Sequence, residues 1–392
     1  MLKLGLIGKP NVGKSTLFSA LTFSPAEIAN YPFTTTKPNV GIGYIVATCP
    51  HTELGKQCTP REGKCLDGRR FVPLEIIDVP GLIPGASEGK GMGNEFLDYI
   101  READVILHIF DSSGKVDSEG NPSSDTLPQW DDIISIEEEM VAWLSSRIFR
   151  DWEKFSRKAD STGERLDRSL HEKLASYGIS DQQTSALVTS IELPRKLSSW
   201  KLEDVNLLVR EIFRTVKPIF RIGNRSDISS KEILESLRNR DSQISFVSGG
   251  YELLMEKAEK NGIIEFASDR AEITSRATAS QRKALEEMLN LYRNGFTELS
   301  RDVLGRIVFE SLGYSVVYPV SDDSSWSDSK GNVLPDAILV PKGTTALELA
   351  FKVHTDIGQG FIRAIDCRKK MAIRKDHTLS MGDVVRIVAK TQ

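Results

Sequence analysis

"KLGLIGKPNVGKST", residues 3–16, reads as a strand, a glycine loop and the start of a helix. The apolar run from Leu2 to Ile7 reads as a short buried strand, and from Asn11 to Thr22 the apolar spacing turns helical. Between them, Gly8 to Ser15 follows Gly-x-x-x-x-Gly-Lys-Ser, a spacing that gains chemical meaning when it joins a strand to a helix. Gly8 and Gly13 let the backbone curl so that its N–H groups face inward, forming a nest for phosphate oxygens. Lys14 supplies charge to β and γ phosphates, Ser15 supplies an oxygen to Mg2+, and the helix adds its positive N-terminal end. Asn11, Val12 and Thr16 complete the nucleotide-binding candidates of this loop.

Magnesium-assisted phosphoryl transfer needs a second acid at the end of a neighbouring strand. "FVPLEIIDVPG" (71–81) provides Asp78, and Gly81 offers a backbone N–H where a γ-phosphate would be sensed. "NYPFTTTKPNVG" (30–41) is a Thr-rich, Pro-punctuated loop suited to a switch that orders around metal and γ-phosphate. Two further apolar runs, "ADVILHIFD" (103–111) and "KPIFRIGN" (217–224), read as buried strands, so the framework is α/β with a mostly parallel sheet covered on both faces. Charged, helically spaced sequence over 115–215 predicts an inserted α-helical domain, a long helical hairpin. The Ser/Asp/Gly-rich segment 321–332 predicts a domain entrance. The expected division is therefore 1–114 and 216–320 for the nucleotide domain, 115–215 for the insertion and 321–392 for a small β-rich domain.

The bulk properties agree with such a chain. Its 392 residues are enough for two or three domains, 40% hydrophobic and 27% charged residues are ordinary for a globular protein, and the net charge is -4. From Lys330 onward there are 11 Lys/Arg against 6 Asp/Glu, a balance of +5 that leaves -9 for the rest. No apolar stretch approaches the roughly 18 residues of a membrane span, and the start of the chain breaks at Gly8 and Pro10 before a signal core forms. A cytoplasmic protein without membrane contact is expected, and four cysteines in so long a chain do not make a disulfide framework.

The stretch "FRIGNRSDIS" (220–229) is, alone, good turn chemistry. Downstream of a phosphate loop, its strand end becomes the expected place of a base reader, with Asn224, Arg225 and Asp227 standing where Asn-Lys-x-Asp reads guanine. Guanine presents N1–H and an N2 amino group as paired donors, which a carboxylate accepts. Adenine has an acceptor at N1 and would leave that carboxylate unpaired. Arg225 replaces the usual Lys, and the two are not equivalent at stacked sites.

"GKPNVGKST", "NYPFTT" with "KPNVG", and "DVPGLIPGASEGKGMGNEFL" resemble the Obg family of GTPases, and within it the YchF branch of archaeal type. The likeness extends to "GNVLPDAILVPKGTTALELAFKVHTDIGQGFIRAID" (331–366), which resembles a TGS domain. It implies a P-loop NTPase of Ras-like fold with an inserted helical domain and a C-terminal β-grasp TGS domain. It also implies Mg2+ held by Ser15, Thr35 and Asp78, catalysis involving Lys14, Thr35 and Gly81, and binding of GTP and GDP. Ser248, Gly249 and Gly250 take the place of the family's Ser-Ala contact to the guanine oxygen. Leu82 occupies the position of the glutamine that orients attacking water, which implies slow hydrolysis. His108, within a strand, reads as a core residue, and Asn11 resembles an asparagine that in some relatives helps hold K+. Some relatives prefer ATP, so an ATPase stands as the alternative, beside a nucleotide-dependent RNA-binding module with incidental hydrolysis.

Two weaker constellations remain. Cys49, His51, Cys58 and Cys65 form Cys-x-His-x6-Cys-x6-Cys, four soft ligands able to make a zinc site, although the spacing matches no common zinc ribbon and a reduced, solvent-facing loop is the ordinary reading. "CRKKMAIRKDH" (367–377) gathers five Lys/Arg in the TGS-like segment, either as a solvated face or as a contact to ribosomes or RNA.

Overall fold

β1 (Lys3–Ile7) is the hub of a seven-stranded sheet. The structure, a computed structural model, describes residues 1–22, 40–79, 99–117, 120–123, 129–267 and 270–390. After helix α1 (Lys14–Thr22), β2 (Val40–Thr48), a single helical turn α2 (His51–Leu54) and the short β3 (Cys65–Leu66) lead into β4 (Arg69–Asp78). β4 and β5 (Val105–Asp111) flank β1, both parallel to it. β6 (Ile219–Asn224) and β7 (Ser245–Phe246) continue the parallel order, while β2 and β3 pair antiparallel with β4. Every residue of β5 is buried, as a strand covered on both faces requires. The parallel register aligns Leu6 with Asp78 and Asp111 with Asn224, so these strand ends share one edge of the sheet. That carboxyl edge is where open α/β sheets bind ligands.

The insertion is not a hairpin. Between β5 and the next strand the described residues form five α-helices: α3 (Gln129–Phe149), α4 (Trp152–Thr162), α5 (Leu166–Leu174), α6 (Asp181–Ser190) and α7 (Leu202–Glu211). The run "IEEEMVAWLSSRIFRDWEKF" is broken at Asp151, whose φ of 57° is left-handed, and α4 ends on Gly163. Trp152 then stacks between Phe149 and Trp200, with ring centroids 5.6 Å away in each case, closing the helices into a cluster. Its core, including Met140, Leu144, Leu170 and Leu208, is continuous with Ile7, Ile77 and Ile106 on one face of the sheet.

α8 (Lys231–Arg240) and α9 (Gly249–Lys260) follow β6 and β7. The hairpin β8 (Ile264–Ala267) and β9 (Arg270–Ile273) then leads to α10 (Ala279–Arg293) and α11 (Ser300–Arg306). The second sheet contains β10 (Ser315–Val320), β11 (Ile338–Val340), β12 (Phe361–Asp366), β13 (Met371–Ile373) and β14 (Val384–Ala389), in the order β11-β10-β14-β12-β13. Helix α12 (Ala346–Val353) packs Ala346 and Leu349 onto Val317, Val340 and Val385 of this sheet, and the short α13 (Thr355–Gln359) follows it. The sheet thus begins at Ser315, upstream of the segment that marks the change in composition. Tyr318, Trp326 and Leu334 share one apolar core with Leu4, Ile45 and Leu74, on the face opposite the helical insertion.

Candidate functional site

Gly8 and Gly13 have φ of 144° and 87°, conformations that a side chain disfavours. A Cβ at Gly8 would lie 2.0 Å from the Ile109 carbonyl oxygen, and one at Gly13 2.3 Å from Asn224 Nδ2, so both positions are also closed by neighbours. The loop wraps Lys14, whose Nζ donates to the carbonyls of Gly8 (3.0 Å) and Lys9 (2.7 Å). Burial lowers the Lys14 ammonium to about 8, partly opposed by the Asp78 carboxylate. Ser15 Oγ donates to Asp78 Oδ2 at 2.8 Å. Asp78 Oδ1 is buried and lacks a hydrogen-bond partner among the described residues. A hydroxyl, a carboxylate and an unsatisfied carboxylate oxygen beside the phosphate nest suit a hard, oxygen-seeking cation such as Mg2+.

The residues expected to read the base converge on the same loop. Asn224 donates Nδ2 to the Val12 carbonyl (3.0 Å) and, more weakly, to that of Gly13 (3.3 Å), while its Oδ1 accepts from Gly249 N–H at 3.0 Å. Arg225, at φ 62°, sends its guanidinium to the Asn11 carbonyl at 2.8 Å, tying the head of the side chain to the phosphate loop. Asn11, itself at φ 62°, donates its side-chain amide to the Gly120 carbonyl (2.9 Å). Asp227 accepts from Ser248 Oγ at 2.6 Å, which orients the carboxylate and leaves Oδ2 for a ligand. Ser248 also caps α9 by accepting from Tyr251 N–H. Because Gly249 N–H is taken by Asn224, Gly250 is the first-turn donor of α9 that no described residue engages. Thr16 lies exposed on the first turn of α1. Thr35, Gly81 and Leu82 lie outside the described residues.

His108 is 1% exposed and sits 3.1 Å through Nδ1 from Glu137 of α3, a core role in keeping with its place in a strand. Burial would raise the Glu137 carboxyl, but Arg221 and His108 hold it at about 2. A link that no motif marks joins Lys9 and Asp132, whose Nζ and Oδ2 stand 2.6 Å apart. Lys9, 6% exposed, thereby joins the phosphate loop to the first helix of the insertion.

The four soft ligands contradict the expectation of a solvent-facing loop. Cys49, His51, Cys58 and Cys65 are between 0% and 8% exposed, and their donor atoms all lie within 4.8 Å of one another. All five Lys/Arg of the basic run are exposed, and three of them have acidic partners. Arg368 donates from Nε and Nη2 to both carboxylate oxygens of Glu53, and Lys369 and Arg374 pair with Asp366 and Asp376.

Comparison with known proteins agrees with this architecture. Residues 3–142 match the 50S ribosome-binding GTPase family, 222–322 the G4 motif-containing domain of YGR210-like Obg-like GTPases, and 330–389 the TGS domain. An uncharacterized GTP-binding protein of Methanocaldococcus jannaschii is 40% identical over 395 residues, 99% of each chain. The ribosome-binding ATPase YchF of Bacillus subtilis is 28% identical, covering 93% of this chain and 87% of its own. The crystal structure of a GTP-binding protein from Pyrococcus horikoshii superimposes with a TM-score of 0.80 at 30% identity, over 99% of this chain and all of that one. No described helix is long and apolar enough to cross a membrane. With likeness of this degree running from end to end, the chain belongs to the Obg-like, YchF-related family of P-loop GTP-binding proteins.

Proposed function

We propose that the chain is a guanine-specific, Mg2+-dependent nucleotide switch that hydrolyses GTP slowly and works in the cytoplasm on or near ribosomes. The observation that carries guanine over adenine is Asp227, aimed by Ser248 and set in a loop that Asn224 binds to the phosphate nest. A carboxylate at that place accepts two donors from guanine and meets an acceptor in adenine. Lys14 and the loop amides would hold the β and γ phosphates, and Ser15 and Asp78 would hold Mg2+, with Thr35 joining them in the triphosphate state. The bound metal supplies positive charge to the phosphate oxygens. Gly81 N–H is the sensor of the γ-phosphate in this reading. Leu82, having no polar atom, cannot orient water, so turnover is slow without a partner.

ATP is the second reading. It is favoured by Arg225 in place of lysine, with its head held by Asn11, and by the ATPase named among the bacterial relatives. A calorimetric titration with non-hydrolysable GTP and ATP analogues in Mg2+ separates the two. Preference for GTP by tenfold or more supports the first reading, and equal or tighter ATP binding overturns it. Ribosome contact rests on the names of the matching family and relatives; co-sedimentation with ribosomes in the GTP-analogue state tests it.

A further inference from the structure

We propose that Cys49, His51, Cys58 and Cys65 bind one structural zinc ion that fastens the segment between β2 and β4 and, through it, the C-terminal domain. The four donor atoms lie within 4.8 Å of one another, a spread that one tetrahedrally held ion can gather into a Cys3His site. With Zn–S bonds of about 2.3 Å and Zn–N of about 2.05 Å, a tetrahedron has edges of about 3.8 Å between sulfurs and about 3.6 Å between sulfur and nitrogen. Cys49 Sγ and Cys58 Sγ are 3.8 Å apart, and Cys65 Sγ and His51 Nδ1 are 3.5 Å apart. At 3.8 Å the sulfurs are far from the roughly 2.05 Å of a disulfide, and three thiols with one imidazole have no even pairing. Thiolate-rich tetrahedral sites select zinc over the hard cations that suit the phosphate site.

The local structure also calls for a cross-link. The segment between β2 and β4 contributes only the helical turn α2 and the two-residue β3, and its buried side chains are chiefly the cluster itself. Elements this short bury too little apolar surface to hold their own shape, the situation in which a metal supplies the folding free energy. Backbone contacts already set the ligand positions: Cys49 N–H donates to the Gly68 carbonyl at 2.7 Å, and α2 ends on Gly55 at φ 66°. Four protein ligands close the coordination sphere, which makes the site structural rather than catalytic.

Charge and neighbours extend the inference to the domain interface. Zinc with three thiolates and a neutral imidazole carries one net negative charge, and binding releases three thiol protons. Arg70, only 1% exposed, lies with Nη1 3.9 Å from Cys58 Sγ and is placed to neutralise that charge. The same guanidinium donates to the carbonyls of Leu334 (3.0 Å) and Pro335 (2.8 Å). On the outer side of the segment, Thr59 N–H donates to the Val333 carbonyl, Arg61 N–H to that of Pro335, and Glu53 pairs with Arg368. The zinc segment is thus the bracket between the nucleotide domain and the β-grasp domain, remote from the groups placed around the nucleotide.

The test uses the full chain, purified with a thiol reductant and no chelator. Elemental mass spectrometry should find about one zinc per chain. After the metal is stripped, Co2+ should titrate to one equivalent, with visible d–d bands and a thiolate-to-metal charge-transfer band. Stripping should speed proteolysis within 55–68 by about tenfold or more, while binding of a fluorescent guanine nucleotide stays unchanged. Cys58→Ser with Cys65→Ser should lose zinc. Should that variant fail to fold, the wild-type metal content and cobalt spectrum decide alone. A wild-type chain that holds less than about a tenth of an equivalent of zinc after incubation with ZnCl2, and gives no cobalt charge-transfer band, overturns the proposal. So does zinc retained equally by a folded double variant.

Discussion

Asn224 donates its side-chain amide to the Val12 carbonyl at 3.0 Å, so a residue at the end of β6 holds the phosphate loop in place. Its Oδ1 simultaneously accepts from Gly249 N–H, which makes the one amide a tie among three loops. Asn224 is 2% exposed, and its removal would leave the Val12 carbonyl and the Gly249 amide without this partner in a buried place. At about 1–3 kcal/mol for a buried unsatisfied group, Asn224→Ala should destabilise the fold by about 2–4 kcal/mol. Urea unfolding with an unchanged slope measures this, and nucleotide affinity should fall at least tenfold in parallel.

Gly249 and Gly250 are adjacent yet should respond oppositely to alanine. A Cβ at Gly249 would come within 3.0 Å of Leu17 Cα, where α9 crosses α1, whereas one at Gly250 meets nothing within 4 Å. Gly249→Ala should therefore cost about 1–3 kcal/mol through overpacking against backbone. Gly250→Ala should be neutral, or stabilising by up to about 1 kcal/mol, from helix propensity. Thermal melting of the two single variants checks the contrast.

Lys14 gives nucleotide binding a pH dependence of defined sign. Burial lowers its ammonium to about 8 in the free protein, and the phosphates require the cation. Binding above that value must take up a proton, so affinity should be flat between about pH 7 and 8 and fall by up to about tenfold per unit above it. Calorimetry in buffers of different ionisation enthalpy reads the proton uptake directly, and Lys14→Arg should flatten the profile.

The Lys9–Asp132 ion pair couples the helical insertion to the phosphate loop. Asp132→Ala leaves the buried Lys9 ammonium without its counter-charge, at a cost of about 1.5–3 kcal/mol. The same substitution should weaken nucleotide binding, although Asp132 belongs to a helix of the insertion and has no expected contact with ligand. Lys9→Met with Asp132→Leu should recover much of the stability, as buried ion pairs replaced by apolar groups often do.

What was legible in the sequence follows from how local each constraint is. Gly8 and Gly13 stand out because their backbone conformations favour glycine, and the proposed metal acid Asp78 and proposed base reader Asn224 and Asp227 stand out because they come at or after strand ends at fixed spacing from that loop. The parallel strands showed as continuous apolar runs. The helical hairpin expected over 115–215 is instead a series of helices broken at the left-handed residues Asp151, Gly163 and Gly178, a conformation that carries little signal in a charged helical run. The second sheet reaches back to β10 because strand pairing with β14, not composition, sets its extent. Closure of the Cys/His cluster, the Lys9–Asp132 pair and the Glu53–Arg368 contact depend on chain segments brought together only by the fold.

The most direct test is a calorimetric titration of the wild type and Asp227→Asn with non-hydrolysable GTP, ATP and xanthosine triphosphate analogues in Mg2+. Asparagine offers a donor where the carboxylate accepted, which suits the carbonyl that xanthine carries at C2. Wild-type preference for GTP should collapse in the variant by about 2–4 kcal/mol, with xanthosine binding gained. Tight ATP binding that is indifferent to the substitution would contradict guanine recognition by Asp227.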